Sequence, residues 1–410
     1  MRGRAALLGA VLAFYAPPSF GLPQPPPDRV DRALRAVAGV LTDMDGSVGR
    51  VYFPVLIANP NSGVTVGALP VWLLSDAAHG IRHIVAPMFT YNKIFGPAFS
   101  GTYYHYPGAR SSFRAIIERS AKSNHRASLR LESLEFLDDR CVLKLEGNYE
   151  ADGTPRFFGV GPASAKADES SYRLLERAAK AEVGVKYWGS WQAAVGWRYR
   201  RAEVQPGIIP APREVPVALR ASQSYSIPRV ALTRDTRDYP ATPARGSFSE
   251  LFGELADPDL GGSADYRRVG GQWRLYVPQS KNWTAAFHAQ MESSLGSVPF
   301  TALASLGGPR SLRAFPEGRF QDRGAVFVNF EERWALHRLD VVNALTEFQV
   351  APFIEAGTVF HDADRTPLRR LQTVAGVGFR AVVKPTVVGK VDVGVGREGP
   401  AVYVGIDYPF

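Results

Sequence analysis

From residue 62 onward the chain alternates between hydrophobic and polar residues in short segments. Segment 190–202 shows the phase plainly, because Trp191 and Trp197 fall on one face while Gln192 and Arg198 fall on the other. A period of two is typical of a β-strand whose two faces meet different environments. Segments of about ten residues separated by turns are typical of a transmembrane β-barrel, which turns apolar side chains to lipid and polar ones to its lumen.

The alternation predicts seventeen strands. We place them at 62–75, 81–93, 97–106, 111–121, 126–137, 140–150, 171–186, 190–202, 226–235, 246–256, 265–277, 282–295, 324–336, 347–359, 372–384, 387–397 and 401–410. Single-chain bacterial barrels have an even number of strands, so one candidate should not be a separate strand. The excess lies between residues 62 and 150, where the pattern does not say which segment it is.

Alternation alone fits a soluble sandwich as well as a barrel, so the two ends of the chain have to decide between these classes. Residues 1–21 have the parts of a signal peptide: Arg2 and Arg4, then an apolar run from Ala5 to Ala16. This run is too short to span a bilayer as an anchor. We therefore expect an exported protein, located in the bacterial outer membrane.

The last predicted strand carries a second signal. Its residues Val402, Val404, Ile406, Tyr408 and Phe410 share one face. An in-phase strand that ends in phenylalanine resembles the C-terminal signal that outer-membrane barrel proteins present to the insertion machinery. Tyr408 and Phe410 are therefore candidate signal residues. The sequence predicts an all-β fold, a single antiparallel transmembrane β-barrel over residues 62–410.

Segment 22–61 leads into the barrel. Leu22 to Pro27 is a proline-rich linker. Residues 28–41 fit a short amphipathic helix with one apolar stripe, formed by Val30, Leu34, Val37 and Leu41. Three placements stay open for this helix: inside the lumen, at the periplasmic rim, or as a loosely ordered lead-in.

The most distinctive stretch is residues 306–333, in which a loop rich in Gly, Pro and Arg runs into a strand that begins at Gly324. Arg313 lies in the loop, Glu331 lies on the polar face of that strand, and Glu355 lies on the strand after it. A guanidinium suits carboxylates better than an ammonium does, and it stays charged when desolvated. We expect Arg313 to meet both acids if the two polar faces line one cavity.

Three motifs in this order resemble those of the BamA/TamA-type outer-membrane barrel superfamily, also called the bacterial surface antigen family. Leu312, Arg313, Ala314 and Phe315 resemble its Val-Arg-Gly-Phe/Tyr loop; Asn329, Glu331 and Arg333 resemble its Asn-x-Glu-x-Arg strand; Phe353, Glu355 and Gly357 resemble its Phe-x-Asp-x-Gly strand. Ala314 and Glu355 depart from the family, which has Gly and Asp there. The resemblance implies that the loop folds into the barrel and that its arginine meets acids on the next two strands.

The resemblance carries further expectations. It implies 16 strands, with a weak seam between the first and the last. Residues 235–246 look like the family's periplasmic turn, and residues 157–161 look like an element of its members without POTRA domains. POTRA domains are the periplasmic modules of members with assembly roles, and segment 22–61 is too short for one. We therefore expect a POTRA-less member.

Composition adjusts this picture only slightly. The net charge is +9, from 48 Lys and Arg against 39 Asp and Glu. The arginines are spread singly, so we assign the charge to a basic lumen and rim that face lipopolysaccharide or phospholipid headgroups, rather than to nucleic acid. A single cysteine, Cys141, excludes a disulfide framework and a cysteine-built metal site. No metal-binding histidine spacing, nucleophile elbow or phosphate loop occurs, so we expect no enzyme, metal or cofactor.

Two functions stay open. The first, implied by the resemblance, is assembly or translocation of proteins or lipid components at the outer membrane. Its partners would be outer-membrane lipid and lipopolysaccharide, the insertion machinery for the barrel's own assembly, and unfolded outer-membrane or secreted substrates. The second is a small anion-leaning pore or a structural surface barrel with no assembly role.

Overall fold

A computed structural model describes residues 42–45, 47–76, 80–108, 111–187, 189–341, 344–362, 370–383, 387–406 and 410. The predicted signal peptide, the predicted helix at 28–41 and Tyr408 lie outside these residues. Within the described ranges, no helix has the length and hydrophobicity to cross a membrane.

The described residues form mostly strands, joined by turns and four 3-10 helices. The strands are β1 (Thr42–Asp45), β2 (Val48–Asn59), β3 (Gly63–Asp76), β4 (Gly80–Asn92), β5 (Gly96–Gly108), β6 (Ser111–Ser120), β7 (His125–Phe136), β8 (Cys141–Asp152), β9 (Arg156–Phe157), β10 (Ser170–Lys186), β11 (Trp191–Pro206), β12 (Arg213–Glu214), β13 (Gln223–Asp235), β14 (Gly246–Ala256), β15 (Asp265–Ser280), β16 (Trp283–Ser297), β17 (Ala304–Leu306), β18 (Phe320–Asp322), β19 (Gly324–Val341), β20 (Ala344–Phe360), β21 (Gln372–Val383), β22 (Val387–Gly396) and β23 (Gly399–Ile406). The 3-10 helices are Lys166–Asp168, Val217–Leu219, Pro258–Leu260 and Phe300–Ala302.

Eighteen long strands build the wall of a barrel. All strands except β1, β9, β12, β17 and β18 belong to it, and each pairs antiparallel with the next wall strand along the chain. The first and last, β2 and β23, lie side by side with Cα atoms within 8 Å. No backbone ladder joins these two in the described part of the chain. We call this boundary the seam. The predicted all-β transmembrane barrel is confirmed.

The strand number differs from the 16 expected. All seventeen predicted segments are separate strands, and β2 adds an eighteenth inside segment 22–61, where the sequence predicts only a lead-in. Val51 and Phe53 fall on one face of the strand and Tyr52 and Leu56 on the other, so β2 is apolar on both faces and shows no alternation. β2 also contains Pro54, a residue that sheets confine to edges, bulges and strand starts, and β2 borders the seam.

The two ends of the barrel differ. Residues 153–169, 207–222 and 298–323 connect strands at one end, which we call the loop end. The opposite end, the hairpin end, has mostly short turns such as 137–140. In outer-membrane barrels the long loops are extracellular and the short turns periplasmic.

The outer wall is apolar. On β11, Val195 is 63% exposed and Trp197 46% exposed, whereas the alternate residue Ala194 is buried inside. Exposed apolar side chains in this pattern are stable only when lipid covers them. The outward face is therefore the lipid face.

Val195 lies midway between Trp191 and Tyr199 on that face, so Val195→Arg tests the assignment. We expect the substitution to cost about 2–4 kcal/mol, since a cation at the bilayer midplane loses its hydration. Urea unfolding in lipid vesicles, followed by tryptophan fluorescence, measures the loss. Val195→Leu should unfold like the wild type, and an unchanged midpoint for Val195→Arg would contradict a lipid-facing wall.

Candidate functional site

Residues 298–323, here called the lumen loop, join β16 to β19 and fold into the barrel. Inside, β17 and β18 pair as a small antiparallel ladder at the base of the loop. The loop and the inner wall share one apolar cluster, made of Ala304, Leu306, Leu312, Ala314, Phe315, Phe320, Ala325, Phe327, Phe353, Val359 and Val374. The Phe315 and Phe320 rings meet edge to face at 5.1 Å, which gives the loop a core of its own.

Arg313 stands at the centre of the inner wall and is fully buried. Its Nε donates to Glu355 at 2.8 Å and its backbone N–H donates to the other Glu355 oxygen at 2.6 Å. Its Nη1 donates to Glu331 at 3.1 Å and to Asp392 at 3.0 Å. The guanidinium carbon lies 3.4 Å from the centre of the Phe353 ring. One loop arginine thus binds carboxylates from three wall strands, β19, β20 and β22.

Two of the three carboxylates, Glu331 and Asp392, also bind cations of the wall. Glu331 accepts from Arg333 at 2.9 Å and from Arg380 at 3.2 Å. Asp392 lies 2.7 Å from Arg380 and 3.6 Å from Lys390. We call these seven residues the Arg313 cluster: Arg313, Glu331, Arg333, Glu355, Arg380, Lys390 and Asp392. Four cations and three anions leave one formal positive charge in the cluster.

Electrostatics favour a permanently charged Arg313. Burial by itself would lower the pKa of its guanidinium, but Glu355, Glu331 and Asp392 outweigh burial and raise that pKa above its ordinary value. Removing one member of such a buried network leaves a partner charge uncompensated, which is far costlier than the net worth of the pair. The cluster therefore fixes the position of the loop more strongly than it stabilises the fold.

Glycines on the inner wall make room for the loop. A Cβ at Gly394 of β22 would come within 2.5 Å of the Arg313 carbonyl oxygen, and a Cβ at Gly357 within 3.0 Å of Leu306. The left-handed backbone in this part of the loop falls at Leu312, with φ 51°, and not at Ala314. An alanine therefore fits at 314, where the resembling family has glycine.

A second loop arginine, Arg319, is also buried. It donates to both Glu398 oxygens at 2.7–3.1 Å, and to the side chain and carbonyl of Ser164 at 2.9 Å. Its guanidinium lies between the rings of Phe158 and Phe320, at 4.8 Å and 4.6 Å. Glu398 belongs to the β22–β23 turn, so Arg319 ties the lumen loop to the last hairpin of the barrel.

Asn61 makes the corresponding contact on the first hairpin. It sits in the β2–β3 turn, where its Oδ1 accepts from the Glu317 backbone N–H at 2.9 Å and its Nδ2 donates to the Glu317 carbonyl at 3.1 Å. Arg156 donates to the Asn61 carbonyl at 2.8 Å. Burial raises the pKa of the Glu317 carboxyl. Residues 317–319 therefore contact both hairpins that border the seam.

The structure brings the sequence-predicted loop and wall residues together. Arg313, Phe315, Glu331, Arg333, Phe353, Glu355 and Gly357 all contact the lumen loop or the Arg313 cluster. Sequence reasoning missed Asp392, Arg380 and Lys390. Their phase could have indicated them, because each is a charged residue between outward-facing valines or other apolar residues on a predicted strand. It also missed Arg319, Glu398 and Asn61, which lie in turns and loops where no periodicity exists.

Phe410 lies where the strand phase did not place it. The prediction put it in phase with Val402, which faces outward, but its ring is buried in the lumen. The ring stacks on His288 at 5.2 Å, and the Arg333 guanidinium lies 5.2 Å from its centre. The described part of β23 ends at Ile406, and residues 407–409, which connect it to Phe410, lie outside the described ranges. The roles of Phe410 and Tyr408 as an insertion signal stay a prediction.

Comparisons with known proteins agree with this geometry. The family model for the Omp85 superfamily domain matches residues 108–385. No curated protein sequence is similar enough to be matched to the chain.

Among solved structures, the chain is similar to BamA from Haemophilus ducreyi lacking POTRA domains 1–3, with 14% identity and a TM-score of 0.55 over 92% of this chain and 77% of that one. It is also similar to CdiB from Escherichia coli (11% identity, TM-score 0.49, covering 89% of this chain and 62% of that one). CdiB from Acinetobacter baumannii has 10% identity and a TM-score of 0.41, and the match covers 89% of this chain and 60% of that one. The likeness to BamA shows a shared fold.

Arg313→Ala should destabilise the barrel by about 3–5 kcal/mol, because Glu355 and Asp392 lose a buried cation. Urea unfolding measures this loss, and limited trypsin digestion should now cleave the lumen loop at the exposed Arg310.

Arg310→Ala is the matched control, since it removes an exposed arginine of the same loop and should leave the urea midpoint unchanged. The urea midpoint of Arg313→Lys should lie between those of Arg313→Ala and Arg310→Ala, because a lysine keeps the positive charge but cannot bind several carboxylates as the planar guanidinium does. A wild-type midpoint for Arg313→Ala would contradict the tethering of the loop.

Proposed function

Because the chain belongs to the Omp85 superfamily, we propose that it inserts or transports proteins at the outer membrane, with the seam as the place where a substrate strand pairs. Its Omp85-type barrel is an outer-membrane barrel, and members of this superfamily are transporters or insertases. The proposal extends this role to the present chain. The unfolded substrate would be an outer-membrane or secreted protein.

The observation that carries the proposal is the seam itself. β2 and β23 adjoin, yet among the described residues no ladder joins them. On its seam edge β2 pairs with β1 over Val48–Val51, and the rest of this edge has no ladder partner among the described residues. Strand edges with free N–H and C=O groups are templates for another strand, and a lipid environment makes unpaired edges costly. An extended substrate segment can satisfy these groups by strand addition, in which backbone hydrogen bonds give affinity.

The lumen loop supports this role because it bridges the seam by side chains. Glu317 binds Asn61 beside β2, and Arg319 binds Glu398 beside β23. Side-chain ties can break and reform while the rest of the barrel keeps its ladders. Arg313, midway between β17 and β18 along the loop, meanwhile holds the loop to β19, β20 and β22, so the loop stays in the lumen when the contacts of residues 317–319 break.

The remaining expectations follow the same proposal. The protein would be exported by the signal peptide at 1–21, inserted by the cell's barrel-insertion machinery, and surrounded by phospholipid and lipopolysaccharide. No catalytic step is needed, because backbone pairing at the seam supplies the driving interaction.

A pore is the alternative, and the inner wall from β8 to β14 is the observation that favours it. Lys144, Arg198 and Arg229 line a cavity of about 330 Å³ there. Carboxylates bind each of them: Glu182 lies 3.4 Å from Lys144 and 3.3 Å from Arg229, and Glu254 lies 3.2 Å from Arg198. A nearly balanced wall can hold water, but it gives little reason for anion selectivity.

Deleting the gene tests the function. We expect lower levels of one or more other outer-membrane or secreted proteins, because their last assembly step is lost, and quantitative proteomics of outer-membrane fractions measures this. Re-expression of the wild type should restore the levels, while Arg313→Ala should not. An unchanged proteome together with steady anion-selective conductance in planar bilayers would contradict the proposal and favour the pore.

Arg319→Gln tests the bridge across the seam. Without the guanidinium, Glu398 loses its partner, so the loop end of the seam should separate more often. Spin labels at Leu56→Cys and Val402→Cys, both outward facing on the seam strands, report the distance by electron–electron double resonance in a Cys141→Ser background. We expect a longer and broader distribution than in the wild type.

Arg310→Gln is the control for that experiment, because it alters an exposed arginine of the same loop. Retained heat-modifiable mobility on gels would show that each variant still folds. An identical distance distribution in Arg319→Gln and the wild type would show that the Arg319–Glu398 contact does not hold the seam together, which would contradict this part of the proposal.

A further inference from the structure

Two arginines face each other on the outer wall without a counter-charge. Arg177 of β10 and Arg201 of β11 are direct cross-strand partners, and both are exposed. Like charges directly opposite on one sheet face are destabilising, with Cβ atoms about 4.5–5.5 Å apart. In the described part of the chain neither forms an ion pair. Arg201 donates to Ser222 at 3.3 Å, and the Arg177 guanidinium lies 5.8 Å from the centre of the Tyr149 ring.

The height of this pair on the wall matches a lipid headgroup. On β11 the outward face is apolar or aromatic from Trp191 to Tyr199, a span of nine residues. A tilted transmembrane strand needs about 9–11 residues to cross the hydrocarbon core. Arg201 is the next outward residue after Tyr199, on the side of the loop end. The arginine pair therefore lies just above the aromatic border, where the phosphates of the outer leaflet lie.

A cavity with two more cations lies further toward the loop end. Arg173, four residues from Arg177 on the same face of β10, lines a cavity of about 420 Å³ with Lys122, Ser123, Ile94 and Ile208. Arg173 donates to the Ser123 carbonyl at 3.0 Å and to Gln205 at 3.2 Å. Its Nε is buried and has no hydrogen-bond partner in the described residues. Lys122 is exposed.

The carboxylate on this face does not neutralise the arginines. Glu203 is the outward residue between Arg201 and Gln205 on β11, and it accepts from the Gln205 amide at 2.7 Å. No ion pair links it to Arg173, Arg177 or Arg201 in the described ranges. The site thus presents two exposed guanidinium groups and an exposed ammonium above an apolar wall.

We propose that Arg177 and Arg201, with Arg173 and Lys122 above them, bind the phosphate groups of an anionic lipid of the outer leaflet. A phosphate between the two guanidinium groups would turn their repulsion into two charge-assisted contacts, since arginine forks match phosphate oxygens. The acyl chains would lie along the apolar band below, beside Trp197 and Tyr199. The occupant is a lipid and not a free anion, because the arginines border that band directly.

The site is independent of the proposed function. It needs only that the barrel spans a membrane with its loop end outward. β10 and β11 are the eighth and ninth of the eighteen wall strands, so they are far along the wall from the seam. A lipid bound there would hold this part of the wall in place while the seam moves.

Native mass spectrometry of the full barrel released from detergent tests the proposal, with purified lipopolysaccharide, phosphatidylglycerol or phosphatidylcholine as added lipid. We expect the wild type to retain an anionic lipid but not phosphatidylcholine. The double variant Arg177→Gln/Arg201→Gln should lower the retained fraction about tenfold, because it removes two contacts to a charged group. In detergent alone, this variant should melt at the same temperature as the wild type or higher, since a repulsion is lost.

Arg234→Gln is the matched control. Arg234 is also outward facing and lies 5.9 Å from an aromatic ring, that of Trp191, but at the hairpin end. The Arg234→Gln variant should retain as much anionic lipid as the wild type. An equal loss in Arg234→Gln would overturn the proposal, as would unchanged retention in the double variant. Displacement of the lipid by millimolar inorganic phosphate would overturn it too, because the site would then select a free anion.

Discussion

The barrel interior depends on one buried guanidinium. Arg313 has no contact with solvent and is held by carboxylates of β19, β20 and β22, so three wall strands and a loop share a single charge network. Removing these charged groups from water costs free energy, and their mutual attraction offsets this cost only when every partner is in place. The consequence is geometric. A loop that must satisfy three acids at once has one position in the lumen, and Gly394 leaves the space it needs.

Because Arg313 fixes the loop in the lumen, the residues that follow it in the loop also have defined positions. Residues 317–319, just before β18, contact Asn61 in the turn of the first hairpin and Glu398 in the turn of the last hairpin. The seam is the part of the wall without a described ladder, and these contacts hold its loop end together. Elsewhere the wall is held by continuous backbone pairing, which opens only at the cost of many hydrogen bonds. The barrel therefore combines a rigid circumference with one boundary held by few side chains.

The two faces of the wall contact different environments. Outward residues such as Val195 meet lipid and are apolar, while inward residues such as Glu254 meet water or other charges and are paired. Arg177 and Arg201 break this rule on the outer face, and they do so just beyond the aromatic border. A charge that is costly in hydrocarbon is favourable among headgroup phosphates, so height on the wall decides what an outward arginine does.

The sequence alone determined the strands, because a period of two is a local property that each segment carries by itself. It also pointed to Arg313, Glu331 and Glu355, since a loop and two polar strand faces follow one another in the chain. It missed β2, which is apolar on both faces and so has no alternation to read. Only the tertiary structure decided that Asp392 completes the cluster and that Phe410 turns into the lumen. Those contacts join residues far apart in the chain, and they are set by the register and circumference of the whole barrel, which no single segment specifies.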